Sequence, residues 1–402
     1  MYVRGIRSLF AFAGYVVSRV SVSAQLVQVN LKRDKRYGLV CPGCGGRMHR
    51  NREVLQTARD LPLGSAVLVM LVYPALQGRC RSCGGFSTIH PPGIDEHARA
   101  TRRLMEFVSC CARFMPLSHV GELVQVDDVT AGRWDRAILR SKLPPPALDN
   151  LRILLIDEKA VRKRHGYVTL VMNGENGELV YLAEGKKKES LQGFFDLLNP
   201  RQKASIVAVA MDRAGAYYQV VKDQLPDADI VLDKFHLIAN YNAVIDEVRR
   251  AEWHKASAAD KHVIKGQRYN LFRRPENRTA QQAQSLQKLL AINRNLATVE
   301  VLKDDLDRLW EYRYPGAAVK YLRRWVDWAR TSGIEALRKF ARGLLKAKTE
   351  VLNFCKHRIT TGPLEAFNNT VSRIIHRACG VRDLDYLFLK LRQESIQPHL
   401  QK

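Results

Sequence analysis

Two cysteine pairs, "CPGC" at Cys41 and Cys44 and "CRSC" at Cys80 and Cys83, constrain this chain more than any other feature. A glycine follows the second cysteine of each pair, Gly45 and Gly84. That suits the tight knuckle that points two thiolates at one ion. Between the pairs, "RDLPLGSAVLVMLVYPAL" reads as a turn at Pro62 and Gly64 followed by a β-strand. Before them, "VVSRVSVSAQLVQVNL" alternates like a strand or hairpin. Two knuckles on β-hairpins make a zinc ribbon, which assigns Cys41, Cys44, Cys80 and Cys83 to one structural Zn²⁺. Four thiolates complete the tetrahedron, so His49 and His90 are not needed as ligands. Eight cysteines in 402 residues are too few for a disulfide scaffold, and the paired spacing points to metal in a reducing, cytoplasmic compartment.

Charge narrows the partners. Lys and Arg number 65 against 40 Asp and Glu, a net charge of +25, which favours polyanions: nucleic acid first, an anionic membrane surface second. No apolar run approaches the roughly 18 residues that a membrane span needs, so no membrane partner is expected. The N-terminus faintly resembles a signal peptide, but Arg19 interrupts the pattern, and a short amphipathic helix leading into a strand is the simpler expectation.

The periodicity divides the chain. Residues 1–95 form the β-rich zinc-ribbon region. Residues 96–142 are helical, and "DDVTAGRWDRAILRSKL" starts with Asp127 or Asp128 as N-cap. Two short helices with a tight junction fit a helix-turn-helix, although any small helical bundle gives the same pattern. The second helix carries Arg133, Arg136 and Arg140, the candidate nucleic-acid contacts for phosphates and base edges. A linker stiffened by Pro144, Pro145 and Pro146 spans 143–150. From 151 to 251 the order is β-ββ-α-β-α-β-α, with hairpin turn residues Asn173, Gly174, Asn176 and Gly177. This is a mixed sheet flanked by helices. Residues 252–351 are helical, basic and tryptophan-rich. In the last segment, 352–402, "TTGPLEAFNN" starts a helix with Pro363 in its first turn, which puts Glu365 one turn in.

Two apolar strands, "LRILLID" and "SIVAVAMD", each end on a carboxylate, Asp157 and Asp212. Either one alone reads better as a helix N-cap or loop residue; for the two together that reading and a functional one weigh evenly. Together, at strand ends where a mixed sheet gathers functional groups, they would repel and raise each other's pKa unless a divalent cation holds them. An oxygen-only site suits Mg²⁺ or Mn²⁺, and two such ions can serve an in-line phosphoryl displacement.

A zinc ribbon, a helix-turn-helix and then "LIDE", "AVAMDRAGAYYQVV", "IVLDKFHLI" and "GPLEAFNNTVSRI", in that order, resemble the bacterial insertion-sequence transposases of the DDE superfamily, ISL-three type. The resemblance covers essentially the whole chain. It implies an α+β and α/β multidomain protein whose catalytic domain, 151–251 with 352–402, is ribonuclease-H-like and carries 252–351 as a helical insertion. It implies Asp157, Asp212 and Glu365 as the Mg²⁺ (or Mn²⁺) ligands. "DKFH" resembles the D-x-x-H element of such proteins and gives His236 a supporting catalytic role, where a histidine at a helix start would otherwise read as a capping or packing residue. The family's basic residue two turns after the Glu is Ser372 here, with Arg373 next to it as the DNA-backbone contact. The implied activity is cleavage and strand transfer on double-stranded DNA, transposon ends and target, by a homodimer assembled on that DNA. The alternatives are a DNA-binding regulator and a ribonuclease-H-like nuclease without strand transfer.

Overall fold

The computed structural model describes residues 8–63, 67–162, 166–213, 216–378 and 383–396. They fall into two compact units, Met1–Pro144 with Arg373–Gln393, and Pro145–Ser372 with Glu394–Lys402.

The first unit begins with seven strands: β1 (Tyr15–Val22), β2 (Leu26–Arg33), β3 (Met48–Leu63), β4 (Val67–Cys80), β5 (Phe86–Ile89), β6 (Ile94–Asp95) and β7 (Ala100–Thr101). The sheet order is β1-β2-β4-β3-β7-β6, with β5 paired to β4. Alternation buries Val27, Val29 and Leu31 of β2 against Val69, Leu71, Tyr73 and Ala75 of β4. β3 and β4 form a long antiparallel ribbon in which Met48 pairs with Cys80, and the four cysteines lie at its end. Three helices follow: α1 (Arg102–Cys111), α2 (Leu117–Val124) and α3 (Asp128–Lys142). Between α2 and α3 the chain turns through Gln125, which is left-handed at φ 55°. Asp127 caps α3 by accepting from the Thr130 N–H.

The second unit holds a sheet of β8 (Ile153–Arg162), β9 (Gly166–Asn173), β10 (Leu179–Glu184), β11 (Ala208–Met211) and β12 (Asp229–Leu232), in the order β10-β9-β8-β11-β12. The first three are antiparallel neighbours; β11 runs parallel to both β8 and β12. Helices α4 (Lys188–Asp196), α5 (Pro200–Ser205) and α6 (Tyr217–Gln224) follow. Leu191, Phe194 and Phe195 of α4 and Val220 and Val221 of α6 pack with Leu154, Ile156, Val209 and Met211.

The rest of this unit is helical: α7 (Lys234–Lys255), α8 (Ala258–Ile264), α9 (Arg268–Phe272), α10 (Ala280–Ile292), α11 (Arg294–Asp307), α12 (Pro315–Thr331), α13 (Glu335–Lys346), α14 (Lys348–His357) and α15 (Gly362–Arg377). Tyr241, Trp325 and Phe340 form a core of rings 5.1–6.0 Å apart, and Trp325 Nε1 donates to the Leu302 carbonyl at 2.9 Å. Trp310 and Trp325 are therefore core residues; Trp253 and Trp328 reach the surface. Asn353 of α14 donates to the Ile230 carbonyl of β12 at 2.9 Å, which seats α14 along the sheet's parallel edge.

The last helix, α16 (Leu384–Ile396), belongs through Gln393 to the first unit, whereas the sequence grouped 352–402 with the catalytic domain. Its tie is Asp135, a fully buried carboxylate on α3. Asp135 accepts from Ser109 Oγ at 2.7 Å, Lys390 Nζ at 3.0 Å and the Tyr386 hydroxyl. A carboxylate at an otherwise apolar helix position does not reveal in sequence which distant cation neutralises it. Among the described residues no helix is long and apolar enough to cross a membrane.

Breaking this pair should be costly, because either partner alone is a buried, unneutralised charge. Asp135→Ala is expected to lower stability by about 3–5 kcal/mol in urea denaturation. Adding Lys390→Met should recover most of that loss; additive losses would contradict the pairing.

Candidate functional site

The parallel strands set the geometry. Ala210 of β11 pairs with Leu155 of β8, and Met211 pairs with Leu232 of β12. Carrying both registers forward brings Asp157, Asp212 and Asp233 level, on three adjacent strands and on one face. The Asp233 N–H donates to the Met211 carbonyl at 3.1 Å and holds the end of that register.

Each carboxylate has its own surroundings. Asp157 is half-buried; its Oδ2 accepts from Asn368 Nδ2 at 2.7 Å and its Oδ1 from the Glu158 N–H at 2.8 Å. Burial pushes its carboxyl above the ordinary range, against the lowering effect of those hydrogen bonds and of nearby His236. Glu158 is raised too, by burial and then by the charge of Asp157. Asp233 is buried at the N-cap of α7, where its Oδ1 accepts from the Phe235 N–H at 2.9 Å and from Thr361 Oγ1 at 2.6 Å. His236, one turn into α7, bridges the row: Nδ1 lies 3.8 Å from Asp212 and Nε2 3.6 Å from Asp233.

Glu365 enters from α15. Pro363 in the first turn starts that helix, and the Glu365 N–H donates to the Thr361 carbonyl at 2.9 Å. Asp157, Asp233, His236, Thr361, Leu364 and Glu365 line one cavity of about 280 Å³. The carboxylate oxygens of Asp157, Asp212 and Glu365 stand more loosely than a closed metal cage, but as a donor set they fit a hard divalent cation. Arg213, next to Asp212, faces protein: its Nε lies 3.3 Å from Glu350, which also accepts from Tyr218, and its guanidinium stacks over the Tyr218 ring at 5.4 Å. The Ala214–Gly215 turn that follows lies outside the described residues.

Sequence reasoning named Asp157, Asp212, Glu365 and His236 but missed Asn368, Thr361 and Glu350. Asn368 was findable, because a position three residues after Glu365 shares its helix face. Glu350 was not, since nothing local ties it to Arg213.

The proposed arginine contacts separate. On α3, Arg133 and Arg140 are exposed. Arg136 is engaged within the first unit, in an ion pair with Asp383 and over the Tyr386 ring at 5.2 Å. Arg373 is exposed on α15.

The cysteines converge. Among the described residues, Cys41, Cys44, Cys80 and Cys83 are the group whose ligand atoms all lie within 4.8 Å of one another. Cys41 Sγ is 3.8 Å from Cys83 Sγ, and Cys44 Sγ 3.4 Å from Cys80 Sγ. Tetrahedral Zn–S bonds of about 2.3 Å require sulfurs about 3.8 Å apart, so the cluster fits zinc. The knuckles repeat one backbone pattern: Cys41 N–H to Gly46 O at 2.8 Å and Gly45 N–H to Cys41 O at 2.9 Å, then Cys80 N–H to Gly85 O at 2.8 Å and Gly84 N–H to Cys80 O at 3.1 Å. Gly45 and Gly84 sit at φ +73° and +69°, which is why glycine stands there. Backbone N–H groups of Cys83 and Ser82 lower the Cys80 thiol to about 6, toward the thiolate that binds metal.

Comparison with known proteins adds to this geometry. The transposase family of the DDE superfamily, ISL-three type, matches residues 154–391. The chain is 33% identical over 397 residues to the transposase for insertion sequence element IS1001 of Bordetella parapertussis, covering 96% of this chain and 97% of that one. It is 28% identical over 257 residues to the transposase for insertion sequence element IS1557 of Mycobacterium tuberculosis, 58% of this chain and 57% of that one.

Two measurements check the two centres. Elemental analysis should find about one zinc per chain, and Cys80→Ser should lower both zinc content and melting temperature; a zinc-free wild-type chain with an unchanged melt would contradict the assignment. In metal-free buffer the raised Asp157 carboxyl favours its protonated form in the folded chain, so its contribution is present at low pH and lost as pH rises through the folded value. Asp157→Asn should therefore melt higher than wild type at pH 7, and the gain should vanish below the ordinary 3.8. A variant less stable than wild type at pH 7 would show that burial does not govern this group.

Proposed function

The chain belongs to the DDE transposase family of ISL-three type, and from that membership we propose that it binds the terminal inverted repeats of an insertion sequence and catalyses metal-dependent DNA cleavage and strand transfer. The observation that carries the reading is the level row of Asp157, Asp212 and Asp233, with Glu365 facing the same cavity as Asp157 and Asp233. The order β10-β9-β8-β11-β12, with the first Asp on the first strand of this sheet and the second after its fourth, supports a ribonuclease-H-like catalytic domain.

Asp157, Asp212 and Glu365 would hold the divalent cations, Mg²⁺ or Mn²⁺. When bound, such ions polarise a phosphodiester and lower the pKa of an attacking water. The chain's own residues orient the site. Asn368 fixes one oxygen of Asp157, and His236 stands between Asp212 and Asp233, 3.8 Å from the one and 3.6 Å from the other. Water attacks the phosphorus at the transposon end and the 3′-oxygen leaves as a hydroxyl. That hydroxyl then attacks the phosphorus of a target phosphodiester, its proton is lost, and the target strand's 3′-oxygen leaves as a hydroxyl. No covalent enzyme intermediate is needed.

In the first unit, α2 and α3 serve as the helix-turn-helix. Arg133 and Arg140 project from α3 toward the repeats, while Arg136 is held by Asp383. Exposed Arg373 supports a contact to the DNA backbone. The zinc ribbon stabilises the sheet beside these helices. The protein would act as a homodimer assembled on DNA in the bacterial cytoplasm.

The test is direct. Asp157→Asn, Asp212→Asn and Glu365→Gln should each abolish cleavage of labelled repeat-end DNA and strand transfer of pre-cleaved ends, with end binding retained. Purified Asp212→Asn that still cuts and joins ends in Mg²⁺ would overturn the assignment. A wild-type chain that binds ends without cutting them would favour the regulator, and cutting without joining the nuclease.

A further inference from the structure

The helix that carries Glu365 is tied to the sheet at two points. Thr361 Oγ1 donates to Asp233 Oδ1 at 2.6 Å, and Asn368 Nδ2 donates to Asp157 Oδ2 at 2.7 Å. Asp233 and Asp157 end β12 and lie on β8, the two strands that flank β11. Two strand steps span about 9.6 Å. The seven residues from 361 to 368 rise about 10.5 Å along a helix. The two lengths match, so α15 spans the three strands with one anchor on β8 and one just past the end of β12. Positions 361, 365 and 368 share one face at helical spacing.

We propose that Thr361 and Asn368 are positioning residues, a two-point brace that lays α15 across the three strands at the level of their acids and holds Glu365 over the middle one, β11, which delivers Asp212. Asp233 is then an anchor for the helix, and the metal-binding carboxylates are the other three. This rests on the reading of Asp157, Asp212 and Glu365 as metal ligands.

The donors suit the task. Thr361 is buried, and its hydroxyl meets a carboxylate that already accepts from the Phe235 N–H. Its carbonyl accepts the Glu365 N–H, so the residue that grips Asp233 also closes the helical turn bearing Glu365. Among the described residues the buried Oδ1 of Asn368 has no hydrogen-bond partner, while its Nδ2 donates to Asp157. His236, beside both Asp212 and Asp233, keeps the middle of the row from drifting away from the brace.

Amide hydrogen exchange and Mn²⁺ binding, followed by electron paramagnetic resonance on the full-length chain, test the brace. Thr361→Val removes the hydroxyl at constant volume, Thr361→Ser keeps it, and Asn368→Ala removes the second anchor. The brace predicts faster exchange of the amides at 365–368 in Thr361→Val and Asn368→Ala, and Mn²⁺ affinity lower by about 10–100-fold, the range for groups that orient metal ligands. Thr361→Ser should restore both. Exchange and affinity at wild-type values in the Val and Ala variants would overturn the brace. If the wild-type chain binds no Mn²⁺, the metal assignment of Asp157, Asp212 and Glu365 fails, and the exchange rates alone decide the brace.

Discussion

The parallel pairing of β11 between β8 and β12 is the constraint on which the second unit depends. Backbone hydrogen bonds set that register, and in a parallel pair residues at matching heights project to the same face. Asp157, Asp212 and Asp233 thus meet because the register sets them level: β11 and β12 end there, whereas β8, expected from the sequence to end at Asp157, runs on to Arg162. A slip of one residue in β11 would turn Asp212 to the opposite face and remove it from the row. The apolar residues before each acid, Leu154 to Ile156, Ala208 to Met211 and Ile230 to Leu232, are buried, and the packing of Leu154, Ile156, Val209, Met211 and Ile230 with α4 and α6 makes the register rigid. Stability of the sheet and placement of the acids have the same cause.

The acids also oppose that stability. Burial pushes the carboxyls of Asp157 and Glu158 above the ordinary range, and the charge of Asp157 adds to the rise at Glu158. Donors reach in from α15 and its start, Asn368 to Asp157 and Thr361 to Asp233, while His236 of α7 lies 3.8 Å from Asp212. A divalent cation would complete the compensation, so a site strained without metal is what the proposed chemistry requires. The four-cysteine cluster, which could hold a zinc ion, is arranged differently. Its ligand atoms all lie within 4.8 Å of one another and its knuckles are closed by backbone hydrogen bonds, an arrangement that suits a structural ion.

Much of this was legible in the residues. The cysteine spacing foretold the convergence of Cys41, Cys44, Cys80 and Cys83, because a knuckle is a local structure and its glycines are visible. The hairpin, the alternation from β8 to α7 and the helix start at Pro363 follow from local rules of the same kind. Long-range side-chain partners were not legible. Asp135 with Lys390, Arg213 with Glu350 and Asp233 with Thr361 each join residues more than a hundred positions apart, and nothing in the local pattern selects one partner over another. The same blindness made Arg136 look like a free cation on α3, when Asp383 holds it. The grouping of Arg373–Gln393 with the first unit has this origin too, since the amphipathic pattern of α16 does not say which face elsewhere receives it.

Membership of a transposase family and the row of acids lead to one central claim: Asp157 within β8, Asp212 at the end of β11 and Glu365 of α15 form a single divalent-metal site. The most direct measurement is a crystal structure grown with Mn²⁺ and phased on manganese anomalous scattering. The account predicts an anomalous peak within coordinating distance, about 2.0–2.2 Å, of oxygens from Asp157 and Asp212, with Glu365 turned toward the same site. Manganese bound elsewhere, with those three carboxylates unliganded, would contradict it.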